Sequence, residues 1–204
     1  MANAALKILR LLGKAGIEPN VVKDHSMTKA DAEVIVVLAA CLHDIGISIH
    51  RNKHERYSLI IGYPKARSLL KAIYDESELT IISSEVMHAV IAHNAKEVCL
   101  TIEAGALKVA DALDMTGGRS RIPFENGKLN IHSISAQAIQ SVEIEKGDNH
   151  PIKLIIKMAN SAGIFQVDEL LRQKIKNSTL ENHIEIVAKI ENETERRLIE
   201  VYRL

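Results

Sequence analysis

The sequence predicts an α+β protein in two parts: an all-helical domain over residues 1–122, then a small antiparallel sheet with a packed helix over residues 123–204. Two observations carry this expectation. As far as Gly117-Gly118 the apolar residues recur at helical spacing, three and four apart. After Pro123 they alternate with polar ones, the pattern of strands with one buried face. Helices first and strands afterwards is the order of an α+β chain.

The first helix is expected over about residues 3–15, where Leu6, Leu9 and Leu12 recur with Ile8 and Leu11 beside them. Gly13 and Gly16 weaken it, and Pro19 closes it. It begins almost at Met1 with no cap or lead-in, like an element cut part-way along. The next helix starts at Thr28, which stands before Asp31 in the spacing of a capping box. Val34, Val37, Leu38 and Cys41 form its apolar side, His43-Asp44 sit in its last turn, and Gly46 ends it. Shorter helices follow near 54–61 and 65–73, split by Gly62-Tyr63-Pro64. Another runs from about Glu78 to His93, and one from Thr101 to Met115, stopped by Gly117-Gly118.

In the second part, Val142 and Ile144 mark one strand. Ile152, Leu154, Ile156 and Met158 mark a second, and Ile184, Ile186, Ala188 and Ile190 a third. A helix carrying Val167, Leu170, Leu171 and Ile175 lies between the last two. The tail after Glu191 is read as helical.

Composition narrows the function. Of 204 residues 47% are apolar, enough for a core. The 26 basic and 26 acidic residues cancel, so the broad positive field of a general nucleic-acid binder is missing. Cys41 and Cys99 stand far apart, form no paired metal motif, and fit a reduced, cytoplasmic protein. No apolar run reaches the length of a membrane span. Lys7 and Arg10 sit among leucines with no cleavage site behind them, so the start reads as a helix and not as a signal peptide.

The chemistry is concentrated in Leu42-His43-Asp44-Ile45-Gly46, where an imidazole and a carboxylate stand side by side. On a regular helix neighbours point about 100° apart, so the two share an ion only near a helix end, which Gly46 supplies. The plainer alternative is a helix C-terminus at which the dipole favours His43. Asp111 lies among Val109, Ala110, Ala112 and Leu113, and a carboxylate in that company needs a partner. A metal is one; Lys108, on the same face, is the other. His88 and His93 fall about 140° apart on one helix, and Asn94-Ala95 suggests an end near His93, which ranks His93 above His88. His54 stands between Lys53 and Glu55-Arg56, either a ligand or part of a solvated face. Mixed nitrogen and oxygen donors suit manganese, iron, cobalt, nickel or zinc, with magnesium also admitted. Arg119 and Arg121, with the amides of Gly117-Gly118, are placed to grip a phosphate. A polar turn with Arg121 paired to Glu125 is the alternative, and Arg51 and Lys53 are weaker candidates.

Leu42 to Gly46, His54 before Tyr57-Ser58-Leu59, Ala92-His93-Asn94 and Val109-Ala110-Asp111 together resemble the HD superfamily of metal-dependent phosphohydrolases, over about residues 1–122. The later part, including Asn160-Ser161-Ala162-Gly163-Ile164-Phe165, resembles the C-terminal extension of a prokaryotic branch of that family. The resemblance implies a first divalent ion held by His43, Asp44 and Asp111. It implies a second at His54 and His93, with His88 nearby and Asp44 bridging. The implied reaction is hydrolysis of a phosphomonoester or phosphodiester by a metal-bound hydroxide, with a nucleotide as the expected partner, no membrane, and homodimer formation open. In the family a further histidine lies on the helix before the His-Asp helix. Here that helix, about residues 3–15, has none, and His25 lies in the connection after it. The expectation is that such a histidine precedes Met1 or has been lost. The alternative function is a non-catalytic nucleotide-binding or interaction module with a degraded metal site.

Overall fold

The computed structural model describes residues 1–115, 135–190 and 201–203. The chain clusters into two compact units, Met1–Asp111 with Ile175–Glu181, and Ala112–Lys174 with Asn182–Leu204.

The first unit is helical. Its elements are α1 (Ala2–Lys14), α2 (Asn20–His25), α3 (Lys29–Leu42), α4 (His54–Leu70), α5 (Glu76–Ala92) and α6 (Ile102–Ala112). A 3-10 turn, Ile45–Ser48, follows α3. Helix α1 buries the stripe Ala5, Ile8, Leu9 and Leu12. Helix α6 is buried on every side from Glu103 to Asp111, as expected of a helix at the centre of a core. Ile8, Leu12, Ile35, Ile82, Leu107 and Leu180 are the large, fully buried apolar side chains of this unit.

Helix α2 departs from the sequence reading, which took 20–25 as connection. Six residues are too few to hold a helix by themselves. The buried Glu103 accepts the N–H of Asn20 (3.1 Å) and of Val21 (2.9 Å), supplying the cap from a distant helix. Pro19 thus stands at the start of α2, while Gly16, with φ of 83°, turns the chain after α1. The expected cap of α3 is present: Thr28 N donates to Asp31 Oδ2 (2.8 Å) and Asp31 N to Thr28 Oγ1 (3.3 Å). Helix α5 starts earlier than expected because Asp75 caps it, with Glu78 closing a second box.

Two further expectations are corrected. The helices near 54–61 and 65–73 are one helix, α4, that runs through Pro64. Pro64 lies on the exposed face, where the carbonyl it leaves unbonded meets water, and Ile60 beside it is 69% exposed. The opposite face, Ser58, Gly62, Ala66 and Leu70, is buried without interruption. Helix α6 ends at Ala112, before Met115, and Gly117-Gly118 lie outside the described residues.

The second unit contains β1 (Ile139–Lys146), β2 (Ile152–Met158), β3 (Ile184–Ile190) and β4 (Val201–Arg203), in the spatial order β1-β2-β3-β4. The architecture is α+β, as predicted, but the sheet is mixed. Strands β1 and β2 form an antiparallel hairpin; β2 and β3 run parallel, from Ile152 opposite Ile184 to Met158 opposite Ile190. A parallel pair needs a crossover, and the helical segment between the two strands supplies it. That segment is a π-helical stretch, Gln166–Leu171, continued by α7 (Arg172–Lys176). Val167, Leu171 and Ile175 are buried, whereas Leu170 points outward. The tail is corrected as well: residues 201–203 are a strand paired antiparallel to β3. No helix among the described residues is long and apolar enough to cross a membrane.

Candidate metal centre

Helix α3 ends at Leu42, and Asp44 has left helical geometry, with φ of −104° and ψ of 2°. That change of backbone lets two neighbouring side chains turn to one side, which a continuing helix forbids. His43 Nε2 lies 3.4 Å from Asp44 Oδ2 and 3.8 Å from Asp111 Oδ1. On the other side of the carboxylate, Asp44 Oδ1 lies 3.0 Å from His54 Nε2 and 3.7 Å from His93 Nε2. The two Nε2 atoms of His54 and His93 are 3.3 Å apart. Asp44, His54 and His93 offer donor atoms that all lie within 4.8 Å of one another.

The three rings are held in the same way. His43 Nδ1 faces the carbonyl of Ala40 (3.0 Å), His54 Nδ1 that of Arg51 (3.0 Å), and His93 Nδ1 that of Val90 (2.6 Å). A carbonyl only accepts, so each Nδ1 carries a proton and each Nε2 is turned inward, where the neutral ring presents a lone pair. Lone pairs at 3.3 Å repel unless a proton or cation sits between them. His43 Nε2 is also buried without a hydrogen-bond partner. These inward lone pairs, beside the carboxylates of Asp44 and Asp111, fit a divalent cation, and the Nδ1 contacts are the outer partners that metal-bound histidines use.

The charges agree with that fit. His43 beside it, outweighing the opposing effect of burial, lowers the Asp44 carboxyl to about 2, with His93 and His54 adding to the effect. Burial alone would push the His43 ring down, but Asp44 and Asp111 overcome it and raise it.

The surrounding side chains fix the turn. Ser58, fully buried on α4, donates to the carbonyl of His43 (2.7 Å) and accepts the N–H of Gly46 (2.8 Å). The sequence reading had Gly46 end α3, but α3 ends at Leu42 and Gly46 has no positive φ. Its role is close approach: a Cβ there would stand 2.2 Å from the carbonyl oxygen of His54. Glu55, also buried, accepts a hydrogen bond from Asn94 Nδ2 (2.6 Å). Burial would raise the Glu55 carboxyl, but its own N–H, Asn94 and the two nearby histidines hold it low.

His43, Asp44, His54, His93 and Asp111 therefore come together. His88 does not: its Nε2 accepts the N–H of Leu100 (3.0 Å), which engages the lone pair a metal would need, and burial lowers its pKa. The Nζ of Lys108 is buried and donates to the carbonyls of Glu97 and Asn177. Arg51 and Lys53 are exposed, and Arg119 and Arg121 lie outside the described residues. Sequence reasoning missed Ser58, Glu55 and Asn94. Ser58 had a signal, since it stands one helical turn after His54. For Glu55 and Asn94 there was only the fact that each directly follows a histidine.

Comparison with known proteins gives the family. The HD domain family matches residues 2–116. An uncharacterised protein of Methanocaldococcus jannaschii is 44% identical over 193 residues, which cover 95% of this chain and 74% of that protein. No solved structure matches. With the His43-Asp44 pair at the heart of the matched region, the chain belongs to the HD domain family, within a superfamily of metal-dependent phosphohydrolases.

Proposed function

We propose that this protein is a metal-dependent hydrolase of a phosphomonoester or phosphodiester, with a nucleotide as the substrate class. The observation that carries the reading is the division of Asp44. Its Oδ2 faces His43, whose ring also faces Asp111, while its Oδ1 faces His54 and His93. One carboxylate thus stands between two donor groups, and these residues would hold divalent ions. Such ions polarise a phosphoryl oxygen and bring the pKa of a water toward neutrality.

The chain's own residues prepare the site for this chemistry. Asp44, with its carboxyl held near 2, is anionic throughout the neutral range and offers both oxygens. The Nδ1 contacts hold the three rings with Nε2 facing inward. His54 is the first residue of α4, so the positive end of that helix dipole favours an anionic substrate there. Arg119 and Arg121 complete the proposal as cations that grip the phosphate. Cys41, exposed, and Cys99, buried, form no disulfide with each other, which supports a reducing compartment such as the cytoplasm.

A second reading, a non-catalytic binding module, is favoured by one observation: α1 carries no histidine. The test is elemental analysis of the purified full chain, followed by phosphate release from a panel of phosphomonoesters, phosphodiesters and nucleotides. Co-purifying metal and release that Asp111→Ala abolishes are expected. Metal without release would select the second reading, and a protein that takes up no divalent ion would sink the metal centre.

A further inference from the structure

We propose that the Glu55–Asn94 hydrogen bond is a strut that sets the spacing of His54 and His93, making Glu55 and Asn94 positioning residues for a divalent cation held by that pair. The inference rests on the metal-centre reading and adds to it the means by which two helices keep their ligands in register. His54 opens α4, and His93 immediately follows the end of α5. Nothing in either helix by itself relates the two rings, whose Nε2 atoms face each other at 3.3 Å. The residue directly after each histidine supplies the tie. Asn94 Nδ2 donates to Glu55 Oε1 at 2.6 Å, a short, charge-assisted bond.

Both ends of the strut are themselves fixed. Asn94 Oδ1 accepts the N–H of Lys96 (2.9 Å), which sets the amide's orientation and turns its Nδ2 toward Glu55. Glu55 is 9% exposed, so its carboxylate does not swing into water. Its second oxygen lies 3.8 Å from His54 Nδ1, on the side of the ring turned away from Asp44. The plainer role, a carboxylate stabilising the start of α4, would engage Glu55 but gives Asn94 no part.

The experiment titrates Mn2+ into the metal-stripped full chain by calorimetry. It compares the native protein with Glu55→Ala, Asn94→Ala and the exchanged double variant E55Q/N94D. The exchange reverses donor and acceptor and keeps the net charge. Each single variant should bind one of two Mn2+ ions about 10–100-fold more weakly, the usual effect of losing an outer partner, with the other ion little changed. The exchanged pair should recover most of the loss. If Glu55→Ala fails to fold, Asn94→Ala and the exchanged pair still decide. Native affinity for both ions in a folded single variant would overturn the strut, as would an exchanged pair that recovers nothing. A native protein that binds no Mn2+ overturns the metal centre itself, and the strut's proposed role with it.

Discussion

Asp44 can face two groups of donors because it is the residue at which a helix stops. One position earlier the backbone is helical; one position later a tighter turn begins. Gly46 keeps that turn against α4. A Cβ on Gly46 would lie 2.2 Å from the carbonyl oxygen of His54 and 2.4 Å from the amide nitrogen of Ser58. Both atoms are backbone and cannot rotate away, so Gly46→Ala must push the first turn of α4 outward and carry His54 from Asp44. The expected loss is about 1–3 kcal/mol of stability, the usual range for overpacking a tight site. Weaker Mn2+ uptake should accompany it. Thermal melting and calorimetry check both, and a variant with native melting temperature and affinity would show that the turn yields without moving the ligand.

Among the elements, α5 carries a strained charge away from the metal centre. Glu85 Oε2 is buried without a hydrogen-bond partner. Burial and then nearby Glu103 raise the Glu85 carboxyl; His25 and Thr101 act the other way, and Asp24 adds to the rise. A carboxyl raised in the folded state holds its proton more tightly there than in the unfolded chain. Folding is therefore penalised at neutral pH, and the penalty fades as pH falls through the folded pKa and then the ordinary glutamate value of 4.5. Glu85→Gln should raise the melting temperature at pH 7, with a gain that disappears below about pH 4. A lower melting temperature at pH 7 would show instead that the charge of Glu85 is well paired in the native protein. The same neighbourhood explains α2, whose first amides are held by Glu103 from α6.

At the scale of the whole molecule, a late stretch of sequence belongs to the helical unit. Residues 175–181 return to it after the strands β1 and β2. The carbonyl of Asn177 accepts the N–H of Cys99 (2.9 Å) and a bond from Lys108 Nζ (3.4 Å), and its side chain donates to the carbonyl of Ala95 (2.7 Å). Thr179 Oγ1 donates to the carbonyl of Thr101 (3.1 Å), and a Cβ on Gly105 would stand 2.6 Å from that same oxygen. These bonds brace the segment between His93 and the helix that carries Asp111. A fragment ending at residue 122 lacks them all. It should melt below the full chain, with faster hydrogen exchange at the Cys99 amide, since each orphaned buried group costs about 1–3 kcal/mol. Native melting and native protection in the fragment would show that residues 175–181 are dispensable to the helical unit.

The sequence by itself determined the class of the fold, the capped start of α3 and the three strands with alternating faces; the four residues that gather around Asp44 stood in it through the family resemblance. The fold is legible because local physics writes it, through apolar periodicity and the reach of one side chain to a nearby amide, whereas the site residues are legible through a motif order that resembles a known family. The tertiary structure decided what depends on a partner distant in sequence. Pro64 does not break α4, because its face is exposed while Ser58, Gly62, Ala66 and Leu70 are packed. The parallel pairing of β2 and β3 follows from the crossover between them and leaves no mark on either strand's alternation. His88 is withheld from the metal centre by the amide of Leu100, a contact 12 residues away in the chain. The spacing of His54 and His93 lies in the packing of two helices, and periodicity along either helix is blind to it.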